Sequence, residues 1–262
     1  MVPDSLERRR TARPRRFRRG VFLLPSLLTV ANLFCGYACV VYATRADFDT
    51  AALLIGIAMV LDTLDGFMAR LTNSTSAFGV QLDSLADVVS FGLAPAILAF
   101  TWGLWPLQRV GWTVGFLYVT AAAMRLARFN IQTNSPHDKR YFAGMPSPAA
   151  AGVIASTVYL YPAGLQEWRQ ALPALAMVLV PALLMVSTIR FRSVKAIDVG
   201  WRRSYLALFL GAVIIALIAT QPRLALVVMA YSYTLFAIIV WVIGRLHKRH
   251  HDEEPPPQSD AG

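Results

Sequence analysis

The chain has 262 residues, of which 56% are apolar, and its mean hydropathy is +0.50. That composition is too apolar for a soluble domain of this size and predicts several membrane spans. The formal net charge of +10 does not indicate nucleic-acid binding, because membrane proteins concentrate Lys and Arg in cytoplasmic loops and near anionic lipid headgroups. Cys35 and Cys39 lie in one apolar segment and do not indicate a disulfide framework.

Residues 1–22 form a basic arm with eight arginines, and we expect it to lie on the anionic cytoplasmic surface of a membrane. Eight apolar segments of about the length that a bilayer requires follow this arm. They cover residues 23–44, 50–69, 78–100, 108–128, 147–164, 171–189, 204–221 and 223–244. The last two are alternatively one re-entrant hairpin, because only Gln221 and Pro222 separate them. The predicted fold class is all-α, a polytopic helical bundle in a membrane.

The distribution of basic residues predicts the orientation of this bundle. With the N terminus inside, 21 of the 25 Lys and Arg residues fall in the arm, the cytoplasmic loops and the C-terminal segment. The remaining 4 fall in the outer loops. Such an asymmetry predicts that both termini are cytoplasmic.

Four carboxylates stand at the cytoplasmic ends of the second and third apolar segments. At about 100° per residue, Asp62 and Asp65 share one helix face, and Asp83 and Asp87 share a face of the next helix. Acidic side chains are costly inside a membrane, and four like charges brought together require cations between them. Oxygen ligands at this density indicate Mg²⁺, Mn²⁺ or Ca²⁺. The same faces carry small residues that leave room for a bulky ligand: Gly66, Ala69 and Gly79.

The chain resembles the CDP-alcohol phosphatidyltransferase family at every fixed position of that family's signature. In this sequence the signature consists of Asp62, Asp65, Gly66, Ala69, Arg70, Gly79, Asp83 and Asp87. Members of the family transfer a phosphatidyl group from a CDP-linked lipid to an alcohol and release CMP. The resemblance implies a six-helix catalytic core, which we expect at 23–200. Two additional transmembrane helices are expected at 201–246, and a disordered cytoplasmic tail at 247–262.

The resemblance also implies roles for these residues. Asp62, Asp65, Asp83 and Asp87 are expected to bind Mg²⁺ or Mn²⁺, and Asp87 is expected to act as the general base. The CDP-lipid is expected to contact the start of the first helix and the surroundings of the signature. Those candidate contacts are Ser26, Thr29, Asn32, Gly66, Ala69, Arg70, Ser76 and Gly79. The first three are alternatively ordinary polar contacts between helices.

Three further parts of the chain resemble the branch of the family that uses L-serine as the acceptor. They are residues 88–96, residues 125–130 together with 141–152, and residues 187–195. CDP-diacylglycerol and L-serine are the implied substrates, and a homodimer in the inner or plasma membrane of the cell is expected. Candidate contacts with the acceptor or with phosphate are Ser90, Arg128, Asn130, Arg190, Arg192 and Lys195. For the basic residues, positive-inside flanking is the alternative interpretation.

Two other functions fit parts of the sequence. The first is the same fold and chemistry with a different acceptor: glycerol 3-phosphate, inositol phosphate or choline. A divalent-cation transporter is the second, and it would need acidic residues along a path through the bilayer. The four aspartates lie together at one end of their segments, which disfavours a transporter.

Overall fold

The computed structural model describes residues 18–71, 76–133, 141–187, 190–192 and 219–251, together with 209, 211–213 and 216. Nearly all of them are helical, which confirms the predicted all-α membrane bundle. The main helices are α1 (Arg18–Thr44), α2 (Phe48–Leu71), α3 (Ala77–Asp87), α4 (Ala94–Ala99), α5 (Arg109–Thr133), α6 (Ser147–Leu160), α7 (Trp168–Val186) and α8 (Pro222–His251). Two short strands, β1 (Tyr141–Ala143) and β2 (Arg190–Arg192), complete the described part.

Five helices in the described residues are long and apolar enough to cross a membrane. These candidate spans are Ser26–Thr44, Phe48–Leu71, Ala77–Leu107, Arg109–Ile131 and Trp168–Val186. They overlap the predicted segments 23–44, 50–69, 78–100, 108–128 and 171–189. The multi-pass architecture expected from the hydropathy pattern is therefore present.

The remaining predicted segments have different outcomes. The segment predicted at 147–164 is the 14-residue helix α6, which ends before Pro162 because the residue preceding a proline is disfavoured in the α conformation. The segment at 204–221 lies mostly outside the described residues, whereas 223–244 falls within α8. Helix α1 begins five residues inside the predicted arm, at Arg18, and α8 continues into the predicted tail as far as His251.

The helix that follows α2 is continuous from Ala77 to Leu107, but it contains two π-helical segments and ends in a 3₁₀ turn at Trp105–Leu107. It begins at Ser76, whose hydroxyl accepts a hydrogen bond from the Gly79 N–H at 2.9 Å and so caps α3. Residues Val88–Leu93 and Phe100–Leu104 are π-helical. π-Helical turns are rare in proteins, and those that occur are often found near functional sites. The first one here begins directly after Asp87.

A close approach of α1 to the first π-helical segment positions the carboxylate end of the bundle. Gly36 on α1 lies against Ser90, and a Cβ atom added at Gly36 would lie 2.8 Å from the Ser90 Cα. The Ser90 hydroxyl donates to the Asn32 carbonyl at 2.9 Å. On the other side of the segment, the buried Tyr118 hydroxyl donates to the Phe91 carbonyl at 3.3 Å. Helices α1 and α5 therefore both hold the backbone beyond Asp87.

Strands β1 and β2 form a short antiparallel ribbon that pairs Tyr141 with Arg192 and Ala143 with Arg190. Both strands lie between predicted apolar segments, and their pairing joins parts of the chain that are far apart in sequence. Gly144 follows β1 with a φ of +87°, a conformation that residues with a Cβ rarely adopt. Beyond Gly144 the Met145 N–H donates to the Leu184 carbonyl in the last turn of α7 at 3.1 Å, which ties the chain after β1 to the end of that helix.

Replacement of Gly144 by alanine is expected to lower the free energy of unfolding by about 3 kcal/mol. The new Cβ would lie 2.3 Å from the Met185 carbonyl oxygen, and the positive φ would remain strained. Thermal unfolding of the purified protein in detergent measures the change. Gly115→Ala is the control, since the nearest atom to its Cβ would be 3.8 Å away. Equal unfolding midpoints for the two variants would contradict the strain argument.

Candidate active site

The carboxylates of α2 and α3 come together at one end of the bundle. Oxygen atoms of Asp62, Asp83 and Asp87 all lie within 4.8 Å of one another. Asp62 and Asp83 are half-buried and Asp87 is buried. No described Lys or Arg makes a salt bridge to any of the three, so their mutual repulsion is not relieved by a direct ion pair there. Clustered carboxylate oxygens without a direct ion pair to a described Lys or Arg fit a hard divalent cation.

Asp65 lies beside this cluster and faces α1. It is buried, and the Thr29 hydroxyl donates to its Oδ2 atom. Asp83 interacts electrostatically with both Asp62 and Asp65, so the four carboxylates share one electrostatic environment. The group of three mutually close ligand atoms does not include Asp65, and its role as a fourth metal ligand stays a prediction.

Helix α1 contributes buried polar side chains at the cluster. The Asn32 Nδ2 group donates to Asp87 Oδ1 at 3.4 Å, while the Asn32 Oδ1 atom is buried with no hydrogen-bond partner among the described residues. Thr29 is buried and holds Asp65, and Ser26 is half-buried one turn earlier. Of the three predicted contacts on α1, Thr29 and Asn32 therefore hydrogen-bond to the carboxylates, and an open acceptor is available beside Asp87.

The other residues predicted to contact the CDP-lipid lie at the end of α2 and at the start of α3. A Cβ at Gly66 would meet nothing within 4 Å, and Ala69 is half-buried. The exposed Arg70 folds back on its own helix, where its Nε donates to the Gly66 carbonyl at 2.8 Å. Ser76 and Gly79 form the N-terminal cap of α3, so helix capping explains the presence of both residues without a ligand contact. A phosphate contact by Arg70 or Ser76 stays a prediction.

The predicted acceptor contacts are distributed over several elements. Ser90 belongs to the π-helical segment and is fully buried against α1. Arg128 donates to the Val186 carbonyl at 3.3 Å, and Asn130 donates to the Ser84 hydroxyl at 2.9 Å, which joins α5 to α3. Arg190 and Arg192 belong to β2, and Lys195 lies outside the described residues.

Arg125 on α5 is a site residue that the sequence patterns did not single out. Its Nη1 donates to the buried Ser147 hydroxyl at 2.7 Å, and it interacts electrostatically with Asp87 and Asp62. In the sequence it counted only as one of several cytoplasmic basic residues. The available signal was its position inside the end of an apolar span, where a charge is costly unless it has a function.

Together these features define a multi-pass membrane protein with a cluster of carboxylates at one end of its helices. Residues 22–188 match the sequence model of the family described as CDP-alcohol phosphatidyltransferase. That match covers more than half of the chain, and the chain therefore belongs to the CDP-alcohol phosphatidyltransferase family. Divalent cations are used in this family, in agreement with the carboxylate cluster.

Individual relatives are similar over most of the chain. The CDP-diacylglycerol–serine O-phosphatidyltransferase of Helicobacter pylori is 37% identical over 223 residues, which are 85% of this chain and 92% of that protein. The enzyme of the same name from Mycobacterium leprae is 33% identical over 232 residues, 85% of this chain and 76% of that protein. The archaetidylserine synthase of Methanothermobacter thermautotrophicus is 34% identical over 170 residues, 64% of this chain and 69% of that protein.

Proposed function

We propose that this protein transfers the phosphatidyl group of CDP-diacylglycerol to the hydroxyl of L-serine and releases phosphatidylserine and CMP. The observation that carries the proposal is the gathering of Asp62, Asp83 and Asp87 at one end of a membrane bundle, at positions of the family signature. The serine acceptor is supported by the names of relatives that align over 85% of the chain. Those names disfavour glycerol 3-phosphate, inositol phosphate and choline as acceptors.

The carboxylates would hold Mg²⁺ or Mn²⁺, with Asp62, Asp83 and Asp87 as ligands and Asp65 as a candidate fourth. Bound there, the cation supplies charge neutralisation for the diphosphate and for the departing CMP. The chain's own residues then orient the reactants. Thr29 fixes the carboxylate of Asp65, and Asn32 fixes that of Asp87.

In the proposed reaction Asp87 acts as the general base. The serine hydroxyl oxygen forms a bond to the phosphorus that carries the diacylglycerol, and its proton passes to the Asp87 carboxylate. The bond between that phosphorus and the CMP oxygen breaks, and CMP leaves with the bonding electron pair. Asn32 donates to Asp87 Oδ1, which leaves Oδ2 of the carboxylate for the acceptor proton.

The membrane supplies the setting of this reaction. We place the carboxylate end of the bundle, and both chain termini, on the cytoplasmic side of the inner or plasma membrane, because 21 of 25 basic residues fall there. The acyl chains of the lipid substrate stay in the bilayer and the CDP group reaches the open surface near Gly66. Residues 23–200 are proposed as the catalytic core, and a homodimer stays a prediction.

The first test is CMP release by the purified protein in detergent with CDP-diacylglycerol and Mg²⁺ or Mn²⁺. L-serine is supplied as the sole acceptor, and the lipid product is identified by mass. We expect release that requires serine and yields phosphatidylserine. CMP release with glycerol 3-phosphate, inositol phosphate or choline but not with serine would support phosphatidyl transfer as the reaction. It would show that serine is not the acceptor. Metal uptake into vesicles without any CMP release would favour a transporter.

Replacement of Asp87 by asparagine is expected to lower turnover at least about 100-fold at saturating metal, because the amide cannot accept the acceptor proton. Single-turnover CMP release with L-serine measures the chemical step, and a titration of Mn²⁺ keeps metal binding from limiting the rate. Near-normal turnover of Asp87→Asn under those conditions would reject the assignment of the base and leave the metal cluster in place.

A further inference from the structure

We propose that Arg125 forms the binding site for the carboxylate group of the acceptor and so selects an amino-acid alcohol over neutral alcohols. This inference rests on the proposed function and adds a residue that the family signature does not contain. The geometry that points to it is a guanidinium held at the edge of the carboxylate cluster by a neighbouring helix.

The first step is that Arg125 is anchored but not neutralised. Ser147 on α6 is fully buried, and its hydroxyl accepts one of the five N–H donors of the guanidinium at 2.7 Å. Among the described residues Arg125 makes no salt bridge, although it is itself half-buried at the end of a membrane span. A partly desolvated guanidinium with free donors favours an anionic ligand, and carboxylates match its planar fork.

The second step is the position of Arg125 within the site. Its electrostatic partners are Asp87, Tyr233 and Asp62, whereas polar residues of α1 donate to Asp65 and to Asp87 Oδ1. Arg125 belongs to α5, so it reaches the cluster from a different helix than the Asn32 side chain that occupies Oδ1 of the proposed base. In serine the hydroxyl and the carboxylate are attached to neighbouring carbons. A hydroxyl at Asp87 therefore brings the carboxylate close to Arg125.

The third step is an electrostatic requirement of the reaction. Serine carries a carboxylate into a site that already contains clustered aspartates, and like charges at such distances repel. A guanidinium beside Asp87 offsets that repulsion for the acceptor. A neutral alcohol has no such need and gains nothing from Arg125. We therefore expect Arg125 to determine the choice of acceptor and Ser147 to position the Arg125 side chain.

The test compares L-serine with L-serinamide, which keeps the hydroxyl and the amine and replaces the carboxylate by a neutral amide. Wild-type protein is expected to prefer L-serine by at least about 30-fold in kcat/KM, which corresponds to about 2 kcal/mol. In Arg125→Gln the preference is expected to fall below about 3-fold, through a higher KM for L-serine. The KM for CDP-diacylglycerol is expected to change by less than about 3-fold. Arg109→Gln, on the same helix and exposed, is the matched control.

Three results would overturn the proposal. Arg125→Gln could retain the preference for L-serine, or it could lose activity equally with both acceptors, which would assign Arg125 to the charge balance of the aspartates. A higher KM for CDP-diacylglycerol with an unchanged KM for serine would assign it to the diphosphate. Failure of the wild-type protein to use serine at all is a different result, because it rejects the proposed function before any variant is made.

A second variant keeps the test decisive if Arg125→Gln does not fold. Ser147→Ala retains the guanidinium but removes its anchor, and it is expected to raise the KM for L-serine about 5- to 10-fold and to lower the preference for L-serine over L-serinamide by a similar factor. Equal kinetic constants of Ser147→Ala and wild-type protein for L-serine would overturn the proposed positioning of Arg125.

Discussion

Replacement of Asp83 by asparagine is expected to lower serine-dependent CMP release at least about 1,000-fold, which corresponds to about 4 kcal/mol of transition-state stabilisation. Asp83 contributes one of three carboxylates whose oxygens lie within 4.8 Å of one another, and its proposed function is to bind the cation. The amide is nearly isosteric but neutral, so the site loses the negative charge that attracts the metal while the packing of α3 stays the same.

A second measurement separates loss of the cation from loss of the fold. Divalent cations at about 100 times their Kd stabilise a binding protein by about 2.7 kcal/mol. Wild-type protein is therefore expected to unfold at a higher temperature in Mn²⁺, and Asp83→Asn to lack this increase. Asp49→Asn is the matched control at the other end of α2, where Asp49 forms an exposed pair with Arg223 at 3.1 Å. Full activity and an unchanged Mn²⁺ response of Asp83→Asn would refute the proposed cation site.

The second large effect is expected for Gly36→Ala, which we predict to lower the free energy of unfolding by about 3 kcal/mol. The added Cβ would lie 2.6 Å from the Ser90 hydroxyl oxygen and 2.8 Å from the Ser90 Cα. The hydroxyl can rotate away, but the backbone atom can move only if α1 shifts away from the π-helical segment. Such a shift breaks the hydrogen bond from Ser90 to the Asn32 carbonyl.

Activity should fall together with stability in this variant. Asn32 holds Asp87 through its Nδ2 group, so a displaced α1 also misplaces the proposed base. We expect CMP release at least about 10-fold below wild type at a temperature where the variant is still folded. Gly56→Ala is the control, because a Cβ at Gly56 on α2 meets no atom within 4 Å. A Gly36→Ala protein as stable and as active as Gly56→Ala would show that this helix contact is not needed.

Much of this arrangement follows from sequence spacing alone. Asp83 and Asp87 are four residues apart, and α3 remains α-helical through Asp87, so their shared face was predictable. Asp62 and Asp65 are three residues apart, and the structure directs them to different neighbours: Asp62 faces α3 and Asp65 faces Thr29. Periodicity defines a face within one helix but does not define which neighbouring helix each edge of that face meets.

The features that sequence did not predict depend on contacts between distant segments. Arg125 is distinguished from an ordinary flanking charge by contacts from other helices, above all by Ser147, which α6 brings beside it. The β ribbon pairs residues 141–143 with 190–192, and neither strand is long enough to give a periodic pattern. The π-helical winding after Asp87 likewise has no counterpart in the hydropathy pattern, because its carbonyls and side chains are held by α1 and α5.

The π-helical segment Val88–Leu93 has a consequence for how this chain tolerates insertions and deletions. A π-helical turn holds about one residue more than an α-helical turn, so a residue removed there would let the helix return to regular α winding while everything beyond keeps nearly its direction relative to Asp83 and Asp87. A residue added there would instead rotate everything beyond by about 100°. Leu98 and Trp102 would then leave the core, and the Trp102 indole would lose its 2.7 Å hydrogen bond to the Tyr161 carbonyl. Substitutions at exposed positions such as Leu93 do not change the direction of the helix. We therefore expect single-residue deletions in this segment to be better tolerated than insertions.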